Sequence, residues 1–542
     1  MAGLRYPRLA SKSPAMDPVT MPSHNRLRKH SESRRQWLVS AASLAAALTS
    51  ARAVSGTASA AAFSSNPFQL GVASGDPSDD GVVLWTRLST DPTAIEAVPT
   101  AVYPVRWELA DDDSFKSIVR HGTEYATPQL GHSIHVELQG LQPDRWYWYR
   151  FHCEDATSTV GRTRTMPKSD SLPDRLRFAF ASCQHFENGH YTAYEHMAKE
   201  ELDLVLHLGD YIYEKEGMDG RVRKHVGQEI MSLNDYRRRH AQYKSDPHLQ
   251  RMHSLCPWAV VWDDHELDNN YAGAISEELN VSPQDLLRRR ANSYQAYYEN
   301  MPLRKSSLPR GSDLTLYRTI QFGRLAQFEM LDTRQYRTDQ PNGDRQKPLE
   351  GAVFDPQATM LGDAQEKWLM SELLQSTSKW NVLAQQVMMG RVDRVPGQDA
   401  GYSMDQWSGY DVARKRLLTF LQERQVSNPV VLTGDIHSNW VNDLKVNFDA
   451  KSDPVAATEF VGTSISSGGN GQQTSKDHAA ILSENPFVRF QNSERGYVSC
   501  DVTPGEWRSR YQVVEFVDRP GAPLVTRAEF VVEDGRAGAQ PG

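Results

Sequence analysis

Four apolar runs in the 542-residue chain end in side chains that can bind cations or move protons. "RLRFAFASC" ends in Cys183, "LDLVLHLGD" ends in Asp210, "CPWAVVWDDHE" carries Asp264 and His265, and "NPVVLTGDIHSNW" carries Asp435 and His437. A carboxylate can bridge two cations, imidazole and thiolate bind transition metals, and a flanking histidine can be a ligand or an acid near neutral pH. Taken singly each is weak. A Gly-Asp after a strand is more often a turn, and an isolated cysteine is as readily a small buried hydrophobe. Distance in sequence is no obstacle, because adjacent parallel strands bring their carboxyl ends together.

The elements that must position these residues follow from the patterning. From about residue 174, apolar strands alternate with helical segments such as "TAYEHMAKE", which argues for one layered α/β domain over 174–520. Residues 276–305 read as helical, and "GDAQEKWLMSELLQS" reads as a capped amphipathic helix with Asp near its start. The Gln-, Gly- and Pro-rich stretch 339–360 reads as surface loop, and the final "DGRAGAQPG" of a 521–542 tail as frayed. Residues 66–165 alternate at period two between Gly, Pro and Asp breaks, as an all-β domain does. Trp107, Trp146 and Trp148 are expected there as inward anchors or as one face of a strand, and "LQPDRWYWYR" looks like part of a fibronectin-type sandwich.

Together these segments resemble the PhoD-like alkaline phosphatases and phosphodiesterases, within the calcineurin-like metallophosphoesterases. The resemblance covers about 66–520, through "FQLGVASGDPSDDGVVLWTRL", "FASCQHFENGHYTAYEHMAKEELDLVLHLGDYIYE", "WDDHELDNNY" and "LTGDIHSNW" in that order. It implies an α/β fold, a layered α/β/β/α metallophosphoesterase sandwich preceded by an all-β fibronectin/immunoglobulin-like domain. It also implies roles. Cys183 stands where the superfamily usually has an Asp, Asp210 is the bridging carboxylate, and Tyr213 matches a tyrosinate that binds ferric iron. Asp264 replaces an Asn ligand, His265 takes the place of the catalytic histidine, Asp435 replaces a His, and His437 matches the last His of the terminal motif.

These departures shape the metal expectation. Carboxylates at Asp264 and Asp435 make one side of the site oxygen-rich and suited to Ca²⁺. Thiolate and phenolate at Cys183 and Tyr213 favour Fe³⁺, and Zn²⁺ is the rival. Two such cations would activate a hydroxide and neutralise phosphoryl oxygens during in-line attack, with His265 assisting the leaving alkoxide. His185 is open between ligand, loop residue near substrate and structural residue. Asp263 is a candidate additional ligand or support for one, and Asn269 and Asn270 are candidates to touch metal or phosphate, with a satisfied loop cap as the alternative. Arg334 and Arg337 are candidates for a phosphate clamp, with a solvated salt bridge as the alternative for either.

Charge and leader complete the reading. The chain has 60 Lys and Arg against 68 Asp and Glu, a net charge of -8, with no polybasic signature for nucleic acid or anionic lipid. Residues 1–60 hold nine basic and two acidic side chains, so the remainder carries about -15. "SRRQWL" precedes 16 uncharged residues and then "SGTASA", the order of a twin-arginine-type signal, too short and too diluted with Ser, Thr and Ala to stay as an anchor. The expected protein is therefore exported folded by the twin-arginine machinery, secreted or periplasmic or wall-associated, monomeric, and without a stable nucleic-acid or membrane partner. With Cys183 reserved for metal, Cys153, Cys256 and Cys500 allow at most one intrachain bridge, or are buried thiols. The expected substrates are small phosphate mono- or diesters. A phospholipase D of the same family is the enzymatic alternative, and a non-catalytic wall-binding protein the other.

Overall fold

The structure is a computed structural model that describes residues 63 and 65–542, apart from 95–97, 99 and 398. The leader lies outside the described residues. Two mixed sheets form the body. One has ten strands, in the order Gln540–Pro541, Leu524–Glu533, Glu506–Val514, Arg495–Val502, Leu176–Ala181, Leu204–Leu208, Trp258–Val261, Val72–Gly75, Val82–Arg87 and Ser133–Leu138. The other has seven, in the order Arg318–Phe322, Ala326–Met330, Trp380–Ala384, Pro429–Thr433, Val455–Val461, Asn439–Lys445 and Val488–Asn492.

Side-chain alternation sets the layers. Phe328, Val382, Ala384, Val430 and Leu432 share a core with Phe178, Leu206, Trp258 and Trp507 of the first sheet. The Phe178 and Phe328 rings meet edge-on at 5.2 Å between the two sheets. The intervening Leu383 and Val431 turn the other way, onto helices Gly362–Gln375 and Asp411–Glu423. Helices Thr192–Met197, Leu233–Lys244, Pro247–His253 and Pro283–Asn300 contribute Tyr194, Tyr243, Met252 and Tyr297 to the first core. The result is the α/β/β/α layering, with an all-β N-terminal region.

That N-terminal region serves two sheets. Tyr103–Ala110, Ile118–Ala126, Trp146–Cys153, Ala156–Thr157 and Gly161–Arg164 form a separate five-stranded sheet. The strands Val72–Gly75, Val82–Arg87 and Ser133–Leu138 instead extend the ten-stranded sheet, where Gly75 pairs parallel with Trp258. Of the two readings for the tryptophans, the structure gives the shared strand face and not the inward anchors. In Trp146–Cys153 the buried residues are Tyr147, Tyr149, Phe151 and Cys153, and Trp146 and Trp148 share the half-buried face. Both faces of this strand are aromatic, so period two could not tell them apart.

Two further expectations are corrected. The C-terminus is not frayed: Gln540 and Pro541 pair with Val531 and Phe530, and Ala539 is buried. The helix Gly362–Gln375 has no side-chain cap, because Leu361 occupies the capping position. Thr359 Oγ1 instead accepts from Gly362 N at 3.0 Å.

Candidate metal centre

The donors sit where parallel strands end. Strands Leu176–Ala181, Leu204–Leu208 and Trp258–Val261 are adjacent and parallel in the first sheet, and Pro429–Thr433 approaches from the second. Cys183 N donates to Gly209 O and Gln184 N to Asp210 O, both at 3.1 Å, so pairing continues past the strand ends. The glycines permit the convergence. A Cβ on Gly209 would stand 2.4 Å from Asp263 Cβ, and one on Gly434 would stand 2.7 Å from Ser182 Oγ. Gly209 also has φ of +109°, a region closed to ordinary side chains.

Cys183, Asp210, Asp435 and His437 all have left-handed backbone, with φ of 58°, 55°, 62° and 51°. Such residues are uncommon, cost on the order of 1 kcal/mol or more each, and gather at functional sites. At Asp210 the strained backbone is held by a carboxylate that sequence reading passed over. Glu266 accepts from Asp210 N at 3.0 Å, Tyr211 N at 2.6 Å and Asp263 N at 2.8 Å, joining two strand ends. Burial pushes its carboxyl up to about 7 despite those donors. Its one visible signal was its place in the "WDDHE" block.

Three overlapping sets of donor atoms result: Cys183 with Asp210 and His437, Asp210 with Asp264 and His265, and Asp263 with Asp264 and Asp435. Within each set the atoms lie within 4.8 Å of one another. Asp210 joins the first two sets and Asp264 the last two. The Tyr213 hydroxyl reaches into the first, donating to Asp210 Oδ2 at 2.7 Å and lying 3.2 Å from His437 Nε2. Ser467 Oγ stands 2.7 Å from the same hydroxyl and from the Cys183 carbonyl. Cys183, Asp210, Asp263 and Asp264 are buried, whereas His265, Asp435 and His437 are partly exposed, so the site opens on their side.

The electrostatics fit cations. Asp210 Oδ1, Asp263 Oδ2 and Asp264 Oδ1 are buried without a hydrogen-bond partner. Burial raises the Asp210 and Asp263 carboxyls well above the carboxylate range, with Asp264 adding to both, and lifts Asp435 to about 6. Burial, followed by Asp210, also raises the Cys183 thiol and the Tyr213 phenol. Buried anions crowded in this way repel one another, and a multivalent cation among them reverses each shift.

Arg334 and Arg337 are neither solvated nor free for phosphate. Arg334 is fully buried among acids: its Nε meets Asp263, its Nη1 meets both Asp405 oxygens at 3.0 Å, and its Nη2 lies 3.2 Å from Asp435 and 3.6 Å from Asp264. Arg337 donates to Asp405 Oδ1 at 2.6 Å and to the carbonyls of Asp405, Asn270 and Tyr271, so no bidentate fork remains. Two guanidinium charges thus face the four carboxylates Asp263, Asp264, Asp405 and Asp435. With all four ionised, as cation binding requires, that side of the site is short by two positive charges, the charge of one divalent ion.

His265 Nδ1 lies 2.7 Å from Glu214 Oε2, and the Glu214 side chain is fully buried. Burial would lower this imidazole, but Glu214, Asp264 and Asp210 outweigh it and hold it well above the histidine range. His437 goes the other way, to about 3, through burial, then Arg495 and His265, which leaves its ring neutral as a ligand must be. His185 belongs to none of the three donor sets. Its Nδ1 accepts from Glu187 N at 3.2 Å, and its ring packs 4.2 Å from Tyr213. Asn269 bonds Glu277, and Asn270 N donates to Asp264 Oδ2 at 2.7 Å, supporting a donor. Asp405 and Ser467 carried no motif that singled them out, and Glu214 had only its place at the end of the "LGDYIYE" run. All four cysteines are buried free thiols.

Comparison with known proteins agrees with this geometry. The family model of the PhoD-like phosphatase matches residues 178–511, and that of the PhoD-like phosphatase N-terminal domain matches residues 52–167. Alkaline phosphatase D of Bacillus subtilis (strain 168) is 51% identical over 481 residues, covering 88% of this chain and 82% of the relative. A solved structure described as "Structure of PhoD" superposes with a TM-score of 0.87 at 50% identity, covering 89% of this chain and 93% of the other. By sequence and fold, the chain belongs to the PhoD-like phosphatase family.

Proposed function

We propose that this phosphoric ester hydrolase holds iron and calcium through Cys183, Asp210, Tyr213, Asp264, Asp435 and His437, and acts on small phosphate mono- and diesters. The observation that carries the reading is the buried, unpartnered carboxylate oxygens of Asp210, Asp263 and Asp264, within a cluster its own arginines leave short of positive charge. Thiolate and phenolate on one side suit Fe³⁺, and carboxylates on the other suit Ca²⁺. Residues 1–60 fit an export leader, so the working protein is secreted, periplasmic or wall-associated. Among the described residues no helix is long and apolar enough to cross a membrane.

Bound metal ions supply the positive charge that makes phosphoryl transfer to water possible. The chain does the rest. Asp210 fixes the spacing between two donor sets, and Glu266 fixes Asp210 by its backbone. Glu214 holds His265 through Nδ1, leaving Nε2 as the ring atom able to give a proton to a departing ester oxygen. The partly exposed His265, Asp435 and His437 form the side from which an ester enters.

The test is Asp210→Asn, assayed with p-nitrophenyl phosphate alongside metal content. Loss of a shared carboxylate should lower kcat/KM by roughly a thousandfold or more and reduce bound metal. Full activity with unchanged metal content would refute the bridging role.

A further inference from the structure

At the opposite ends of the same parallel strands, a cleft of about 400 Å³ is lined by Trp146, Arg162, Arg164, Arg175, Arg177, Glu201 and Asp203. Arg177 is the second residue of strand Leu176–Ala181 and Asp203 immediately precedes strand Leu204–Leu208, whereas the metal donors follow their carboxyl ends. Six residues at about 3.3 Å each put the cleft roughly 20 Å from the donors. Trp146, Arg162 and Arg164 come from the five-stranded sheet, so two sheets build the cleft.

A count of hydrogen-bond donors shows which arginines are occupied. Arg164 is spent, with Nη1 on Asp203, Nη2 on Asp144 and Nε on the Thr165 carbonyl. Arg175 commits Nε and Nη2 to Asp501. Arg177 commits only Nη1, to Glu201 at 2.8 Å, and Glu201 is 88% exposed. Arg162 spends Nε on the Leu255 carbonyl at 2.9 Å and has no carboxylate partner, so both of its Nη atoms are unbonded. Its guanidinium lies 4.0 Å over the Trp146 ring, which fixes its plane. Burial draws Arg162 below the usual guanidinium range, and Cys256, Asp203 and Glu201 offset that only in part. Asp203 already accepts from Arg164 on one oxygen and from Arg177 N at 2.9 Å on the other, and makes no hydrogen bond to Arg162.

We infer that this cleft is a second anion site, separate from the metal centre, which takes a phosphate group on the free donors of Arg162 and Arg177. Planar guanidinium forks match phosphate oxygens in bidentate fashion. The volume exceeds that of bare phosphate and the half-buried Trp146 offers an apolar wall, so a phosphomonoester fits as well as the free ion. The distance to the metal donors makes the occupant a bound product or the tethered phosphate end of an ester, and not the group under attack.

The test is calorimetric titration of the metal-loaded protein with inorganic phosphate and, separately and in the Asp210→Asn background where turnover is lost, with glycerol phosphate. Wild type should show two classes of site for inorganic phosphate, or Asp210→Asn a cleft class for glycerol phosphate. Arg162→Gln should remove one class, and Arg177→Gln should weaken the same class at least about tenfold, with Tm unchanged and kcat/KM on p-nitrophenyl phosphate within about twofold. Asp210→Asn should keep the cleft class, so the inference stands or falls separately from the catalytic assignment. A cleft class seen with glycerol phosphate alone assigns the site to esters, and one seen with inorganic phosphate alone assigns it to product. Identical titrations for wild type and both arginine variants would overturn the inference, as would loss of both classes together in either.

Discussion

At 2.7 Å from His265 Nδ1, the buried Glu214 carboxylate determines which ring nitrogen is left for chemistry. Glu214→Gln keeps the length and removes the charge. Outer partners of this kind typically contribute 10- to 100-fold, so kcat on p-nitrophenyl phosphate should fall by about that factor with KM little changed. A wild-type kcat would show that His265 needs no such support. Donors such as Asp210, Asp264 and His437 were legible because each ends an apolar run, where sequence alone announces a strand tip. Glu214, Asp405 and Ser467 were not legible. Each sits in a loop, Glu214 at the end of the run that holds Asp210 and Tyr213, and only tertiary packing brings Glu214 to His265, Asp405 to Arg334, and Ser467 to Tyr213. Arg337 was visible as a basic residue, yet nothing local revealed that three carbonyls and an acid would engage both its terminal nitrogens.

At the scale of elements, helix Leu233–Lys244 opens with a capping box of Ser232 and Asp235 and closes on a buried lysine. Lys244 Nζ lies 3.1 Å from the Tyr211 hydroxyl and 4.4 Å from the Trp85 ring centroid, tying an N-terminal strand to the residue after Asp210. Burial, then Arg87, lowers this amine from 10.5 to about 7. A base with a depressed folded pKa leaves the unfolded chain holding more protons between those values, so stability rises with pH across that window. Wild type should therefore gain on the order of a few kcal/mol relative to Lys244→Met between pH 7 and 10. Thermal melts of the two proteins across that range provide the check, and parallel Tm curves would contradict it. Strands and helices were broadly legible from their period. Strand phase at Trp146–Cys153 and the cap of Gly362–Gln375 were not, because aromatic residues on both faces and a nearby Asp gave misleading local signals.

Across the whole molecule, strands from 66–165 complete the catalytic sheet, as do the final strands of the chain. The sequence texture changes near residue 174, yet hydrogen bonding crosses that point: Gly75 pairs with Trp258, and Val72–Gly75 pairs along Val83–Thr86. Composition reports local propensity and carries no record of which distant strand completes a sheet. Scanning calorimetry of residues 61–542 should accordingly give one cooperative transition. A chain beginning at 174 would bare the edge of Trp258–Val261 and should aggregate. Two separate transitions, or a soluble and active fragment from 174, would mean that the front strands are dispensable.

The central claim is that strand-end donors hold the metal ions on which phosphoester hydrolysis depends. Elemental analysis of the purified, untagged protein, with its visible spectrum and its activity before and after chelation, tests this most directly. Iron and calcium should be present at about one or more atoms per chain, with a charge-transfer band that Tyr213→Phe removes or shifts, and turnover should be lost with the metals. Full activity in protein stripped of every metal would contradict it.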